Sequence, residues 1–131
     1  MEASGTPVDY DRMSIISRAS TAVSQLPKKD FQEMKSFASP PVAVIDVLSA
    51  SMLLLGHKDS ETNWKMIKSC LGKTGKESVQ ERVAALDVDK IPEKALKKAK
   101  DILAKYDLNG IANVSQALKE LYIWASAVTD D

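Results

Sequence analysis

Between Lys28 and Gly56 the chain reads KKDFQEMKSFASPPVAVIDVLSASMLLLG: a short charged segment, a double-proline break and a run that is apolar almost throughout. Asp46, Ser49 and Ser51 are the only polar residues between Val42 and Leu55. A helix that is apolar around most of its circumference belongs inside other helices. The rest of the chain must therefore surround it, and a charged helix held just ahead of it by a rigid turn reads as a binding tip, not an active site.

A chain of 131 residues can build one hydrophobic core and is short for two, so a single module is expected. Five glycines, five prolines and 5% aromatic residues favour an all-α reading, since strands would want more Tyr, Phe, Thr and turn glycines. The longest apolar run, about 14 residues, falls short of the roughly 20 needed to cross a bilayer. The amino-terminal MEASGTPVDYD is acidic and has no apolar core, so no secretory leader is expected there. The single cysteine, Cys70, fits a reducing compartment.

The net charge is zero, but its distribution is uneven. From Lys58 to Lys76 five lysines (58, 65, 68, 73, 76) face two acids, Asp59 and Glu61, whereas from Gly110 onward one lysine faces three acids. A uniformly basic protein would point to nucleic acid through counterion release. A neutral chain with a basic patch points instead to a defined anionic surface, such as an acidic protein lattice, and neither nucleic acid nor membrane is expected as a partner.

Ile16, Ala19, Val23 and Leu26 recur at coiled-coil spacing, and Leu118, Leu121 or Tyr122, Ala125 and Val128 repeat the pattern at the other end. Each seam is too short to be stable alone. They could bury each other as one antiparallel pair, or serve as two ordinary bundle helices; periodicity leaves both open. Between them, a helix is predicted from Lys28 to Phe37, with Phe31, Met34 and Phe37 on one side, stopped by Pro40 and Pro41. Pro41 can occupy the first turn of the apolar helix. Asn63 or Thr62 could cap a short helix carrying Trp64, Ile67 and Leu71 and ending near Gly72. Further helices are predicted over Glu77 to Leu86 and after an opening at Asp89 with Pro92 and Glu93, the latter with Ile91, Ala95, Ala99 and Ile102 inward and Lys90, Lys94, Lys97 and Lys98 outward. Asn109 and Gly110 are expected to end that segment, with the final helix starting between Ile111 and Ser115.

Catalytic chemistry finds no home in this pattern. Gly72-Lys73-Thr74 resembles the end of a nucleotide loop, but Ile67 stands where that loop requires glycine, and the segment ahead of it reads as helix. His57 has no second histidine and only Cys70 as a soft ligand, so zinc and a Cys–His pair are both unsupported and a plain surface histidine is expected. The carboxylates lie mostly in first turns or beside lysines, where they cap or pair. No metal and no cofactor is called for, and no enzyme is expected in this chain. Lysine on a helical face is usually only a solvated face. Here, however, Lys28, Lys29 and Lys35 precede a rigid turn, Lys65 and Lys68 share a face at i, i+3, and Lys119 lies at the base of the last seam.

Taken in order, FQEMKSFASPPVAVIDVLSASMLLLG, NWKMIKSCL, DVDKIPEKALKKAKDIL and NVSQALKELYIWASAV resemble the microtubule-binding domain at the tip of the dynein heavy-chain stalk. The resemblance runs from Lys28 to Val128. Its most specific elements are EMKSFASPP joined to an apolar helix ending in LLLG, the tryptophan-bearing short helix, and the spacing of Ser115 and Trp124.

The resemblance implies an all-α fold, a small helical bundle flanked by the ends of an antiparallel coiled-coil stalk. It places an N-terminal segment and the outgoing stub over residues 1–27, the bundle over 28–117 and the start of the returning stalk helix over 118–131. The implied partners are α/β-tubulin in microtubules and, through the stalk, the remainder of a heavy chain. Docking residues carried over from the family are Lys28, Lys29 and Lys35 of its first helix, Lys65 and Lys68 of its third, and Lys119 of its sixth. Asn113 stands where many members have a basic residue, which implies weaker or differently tuned binding. The family switches affinity when one stalk helix slides against the other, under control of a distant ATPase that this chain does not contain. Glu33, beside the first lysines, is placed to pair with them in a weak state. DVDKIPEKALKK is closer to axonemal than to cytoplasmic members, implying a cilium or flagellum. A different class of function remains: a helical adaptor that takes a protein partner in an apolar groove and uses its lysines only for solubility.

Overall fold

In the computed structural model, which describes residues 8–58, 60, 62–73 and 75–129, the apolar run forms α3 (Val42–Leu54), and every residue from Val47 to Leu54 is buried. Around it lie α1 (Val8–Ser24), α2 (Lys28–Lys35), α4 (Trp64–Leu71), α5 (Val79–Ala85), α6 (Glu93–Leu103), α7 (Leu108–Ala112) and α8 (Gln116–Thr129). Two 3-10 turns, Gly75–Glu77 and Val88–Lys90, complete the described elements, among which there is no strand. The expected all-α bundle is what forms, and no described helix is long and apolar enough to cross a membrane.

α3 packs most extensively on α6 and then on α8, with α4 closing another side. Burial of α3 requires a partner for each of its polar groups. Ser51 Oγ donates to the carbonyl of Val47 at 3.0 Å, Ser49 Oγ donates to that of Thr62 at 3.1 Å, and Asp46 accepts from the Tyr106 hydroxyl at 2.5 Å. At its carboxyl end the His57 amide donates to Met52 and the Gly56 amide to Leu53, the two bonds of a Schellman stop. The stop needs a left-handed residue, and Gly56 supplies it with φ 101°.

The two terminal seams bury each other. Ile16, Ala19 and Val23 of α1 and Leu118, Leu121, Ala125 and Val128 of α8 are all buried, and the two helices pack together. Ile15, in the first half of α1, shares a groove with Ser126, Ala127 and Thr129 at the end of α8, while α2, which follows α1, also packs on α8. That places the pair antiparallel. Leu26 and Tyr122 are only partly buried at its margins.

Several boundaries differ from expectation, each through a local bond. α2 ends at Lys35, because Ser36 takes the C-cap and Phe37 leaves the helix to pack half-buried against the core. α5 begins at Val79, two residues later than expected. Ser78 accepts from the Glu81 amide at 3.2 Å, and the Ser-x-x-Glu spacing is that of a capping box. Asn109 and Gly110 do not end α6 but lie inside α7, a separate turn opened by Asp107, which accepts from the Gly110 amide at 2.8 Å. The final helix therefore starts at Gln116, with Ser115 accepting from the Leu118 amide. Pro41 takes the N-cap of α3, one residue outside its first turn, and its carbonyl accepts from Val44 at 3.0 Å.

Candidate functional site

α4 is held at its start. Asn63 accepts from the Met66 amide at 3.0 Å as N-cap, and the Trp64 indole N–H donates to the carbonyl of Phe37 at 3.3 Å, tying the start of α4 to the linker after α2. Ile67, Cys70 and Leu71 enter the core, which leaves Lys65 exposed and Lys68 half-buried on the outer side. α2 buries Phe31 and Met34 and packs on α4, leaving Lys28 and Lys29 exposed.

Lys35 does not point into solvent. Its ammonium rests over Gly72, the C-cap of α4: a Cβ at Gly72 would stand 2.7 Å from Lys35 Nζ and 3.7 Å from the Lys68 carbonyl oxygen. The carboxyl end of a helix carries partial negative charge and attracts such a cation. The absent side chain at Gly72 makes room for it. Lys35 thus sits against the end of the helix that carries Lys65 and Lys68, while Lys28 faces a different groove with Lys73, Gln80 and Glu81. Lys119 stands half-buried in the first turn of α8. Glu33 is exposed, and among the described residues its side chain makes no ion pair with these lysines.

His57 is not a plain surface residue. It is half-buried after the α3 stop, with Nε2 2.8 Å from Arg82 Nη1 and 3.9 Å from Cys70 Sγ. Because a guanidinium can only donate, Nε2 is the acceptor in this pair. Arg82 Nη2 donates to the carbonyl of Leu55 at 3.1 Å, so one side chain of α5 fixes the end of α3. The nucleotide-loop reading fails as well, since the helix α4 stands where a strand would be required; Thr74 lies outside the described residues. No group of three or more metal-ligating side chains occurs among the described residues.

Tyr122 donates to the carbonyl of Tyr106 at 2.7 Å, the Tyr106 hydroxyl is held by Asp46, and Lys105 Nζ lies 3.9 Å from the same carboxylate. Burial, then the hydrogen bond to Asp46 and its charge, push the Tyr106 phenol from its ordinary 10.0 up to about 12. A raised folded-state pKa stabilises the fold fully below pH 10.0, and that contribution is lost as pH rises toward about 12. Urea unfolding across this window should show Tyr106→Phe losing less stability with rising pH than the wild type. Parallel declines would contradict the role given to this bond.

Gln80, Arg82 and the Trp64 indole were not legible as tying groups beforehand. Their partners are backbone carbonyls and, for Arg82, a histidine 25 positions away, none of which a sequence marks; only the Ser78-to-Glu81 spacing hinted at where α5 begins.

Comparison with known proteins adds an independent line. Residues 11–129 match the family model described as the microtubule-binding stalk of dynein motor. The chain is 33% identical to human dynein axonemal heavy chain 14 over 115 residues, 86% of this chain and 3% of that protein. It is 32% identical to human dynein axonemal heavy chain 2 over 120 residues, 90% of this chain and 3% of that protein. With cytoplasmic dynein 2 heavy chain 1 of Chlamydomonas reinhardtii it shares 33% over 117 residues, 86% of this chain and again 3% of that protein. Axonemal and cytoplasmic relatives thus both occur, and the chain spans a few per cent of their length. The matched region is a binding module of the stalk and not an ATPase site. With nearly the whole chain covered by the match, it belongs to the family of the microtubule-binding stalk of dynein motor.

Proposed function

We propose that this chain binds microtubules through Lys28, Lys29 and Lys35 of α2, Lys65 and Lys68 of α4 and Lys119 of α8, docking on acidic tubulin where α- and β-subunits meet. The supporting observation is the coupling of α2 to α4, through the Trp64 bond to Phe37 and the seat of Lys35 on Gly72. Lysines on two cross-tied helices can meet a surface in one fixed geometry, which loose solvated lysines cannot.

In this reading residues 1–27 comprise an N-terminal segment and the stub of the outgoing stalk helix, 118–131 include the start of the returning one, and 28–117 is the tip. Sliding of α1 against α8 then sets affinity, and in the full heavy chain ATP controls the slide. Coupling of this kind requires tubulin contacts that differ between the two positions. An axonemal parent in a cilium or flagellum is the reading we favour.

Exposed charge pairs are worth only about 0.2–1 kcal/mol each and are weakened by salt, so several must act together. Co-sedimentation of the chain with polymerised microtubules at low and moderate salt should give pelleting that falls steeply as salt rises. The adaptor reading is favoured by one feature, the apolar groove of Ile15, Leu103, Tyr106, Tyr122 and Ile123 between α1, α6 and α8. It predicts binding that is insensitive to salt and indifferent to tubulin; absence of pelleting at low salt would count against the microtubule reading.

A further inference from the structure

The carboxyl end of α1 is capped from far away in the sequence. A helix end leaves carbonyls without amide partners, and the usual remedy is a glycine turn whose own amides bond back. No glycine follows α1, and Pro27, two residues beyond Gln25, has no amide to offer. Local bonds cover only part of the need: the Gln25 amide donates to Thr21 and Ala22, and the Leu26 amide donates to Val23.

One side chain of α5 adds to them. Gln80 Nε2 stands 2.9 Å from the carbonyl oxygen of Val23, 3.2 Å from that of Ser24 and 2.8 Å from that of Leu26. Its two hydrogens are shared among three acceptors that converge on one point. A second tie, Ser20 Oγ to the carbonyl of Val83 at 3.4 Å, joins the same two helices one turn earlier. The junction thus bound is where α1 gives way to α2, since only Gln25, Leu26 and Pro27 separate Ser24 from Lys28.

We infer that Gln80 is a positioning residue: its amide fixes where α1 ends relative to α5, and thereby where the lysines of α2 stand. The inference rests on the microtubule reading given above. Movement of α1 along its axis by one helical turn, about 5.4 Å, exceeds the reach of any of these bonds, so the amide favours one position of α1 over its neighbours. Loss of that preference disperses Lys28 and Lys29 over several positions and lowers affinity through lost preorganisation.

The test compares Gln80→Glu, which keeps the shape but replaces the donor with an acceptor that repels the carbonyls, with Ser78→Ala. The latter loosens the start of α5 without touching α1. Amide exchange at Gln25 and Leu26 should accelerate about ten-fold in Gln80→Glu and stay within two-fold of wild type in Ser78→Ala. Microtubule affinity should fall at least three-fold in the first variant and stay within two-fold in the second. Unchanged exchange in Gln80→Glu, or equal effects of both variants on exchange and affinity, would overturn the inference. Failure of the wild type itself to bind microtubules would overturn the functional reading instead, while the exchange measurement would still decide whether Gln80 holds α1.

Discussion

Trp124→Ala should lower the melting temperature by about 10–20 °C, the largest stability loss expected from a single substitution in this bundle. Trp124 is 1% exposed, and it lies where α8 meets α1 and α5, beside Ile16, Ser20 and Val83. Removing a buried tryptophan side chain costs about 3–5 kcal/mol, from lost transfer free energy and from the cavity left behind. The net stability of a single domain is about 5–15 kcal/mol, so a large fraction is lost. At this chain length each kcal/mol shifts the midpoint by roughly 3–5 °C. Trp64→Phe is the informative comparison, because it keeps an aromatic ring half-buried and removes only the bond to Phe37, at about 1 kcal/mol. Thermal unfolding followed by far-ultraviolet circular dichroism would rank the two. A Trp124→Ala midpoint within a few degrees of wild type would contradict the packing described for α8.

That packing shows which parts of the fold the sequence could announce. The apolar run from Val42 to Leu55 and the two terminal seams were legible because burial leaves a direct mark in residue type and period. The choice the seams left open, a mutual pair or separate bundle helices, was decided by what else α8 touches. Ile16, Ala19 and Val23 do meet it, but so do α3, α6 and α7, so α8 serves both the pair and the core. The misplaced helix ends have a common cause. Ser36, Ser78, Asp107 and Ser115 set boundaries through single side-chain or backbone bonds, and such residues also occur in positions where they cap nothing.

The candidate face was legible in part for a similar reason. Lys65 and Lys68 follow from helical spacing once α4 is recognised, and they stand on the outer side of that helix. Lys35 carries the same charge and sits on an equally short helix, yet it is turned inward onto Gly72, a contact that depends on how α2 crosses α4. His57 illustrates the converse error. A histidine without a neighbouring ligand in the sequence reads as surface, but Arg82 reaches it from 25 positions away and uses it to secure the end of α3.

The second large effect concerns binding. Replacing both Lys65 and Lys68 by alanine should weaken microtubule affinity about ten-fold, which corresponds to about 1.4 kcal/mol and lies within what two charge pairs can supply. Stability should change little, since Lys65 is exposed and Lys68 is only half-buried on a helix whose core contacts are made by Ile67, Cys70 and Leu71. A control of equal charge is available in Lys94 and Lys97, both exposed on α6, which packs on α3 and α8. Non-specific attraction between a cation and an acidic lattice would treat the two pairs alike. A defined docking face would not. The most direct measurement is therefore co-sedimentation with polymerised microtubules at fixed salt, comparing wild type, Lys65→Ala/Lys68→Ala and Lys94→Ala/Lys97→Ala. About ten-fold weaker binding for the α4 pair, with the α6 pair within two-fold of wild type, is the result this account predicts; equal losses from both pairs, or none from the α4 pair, would contradict it.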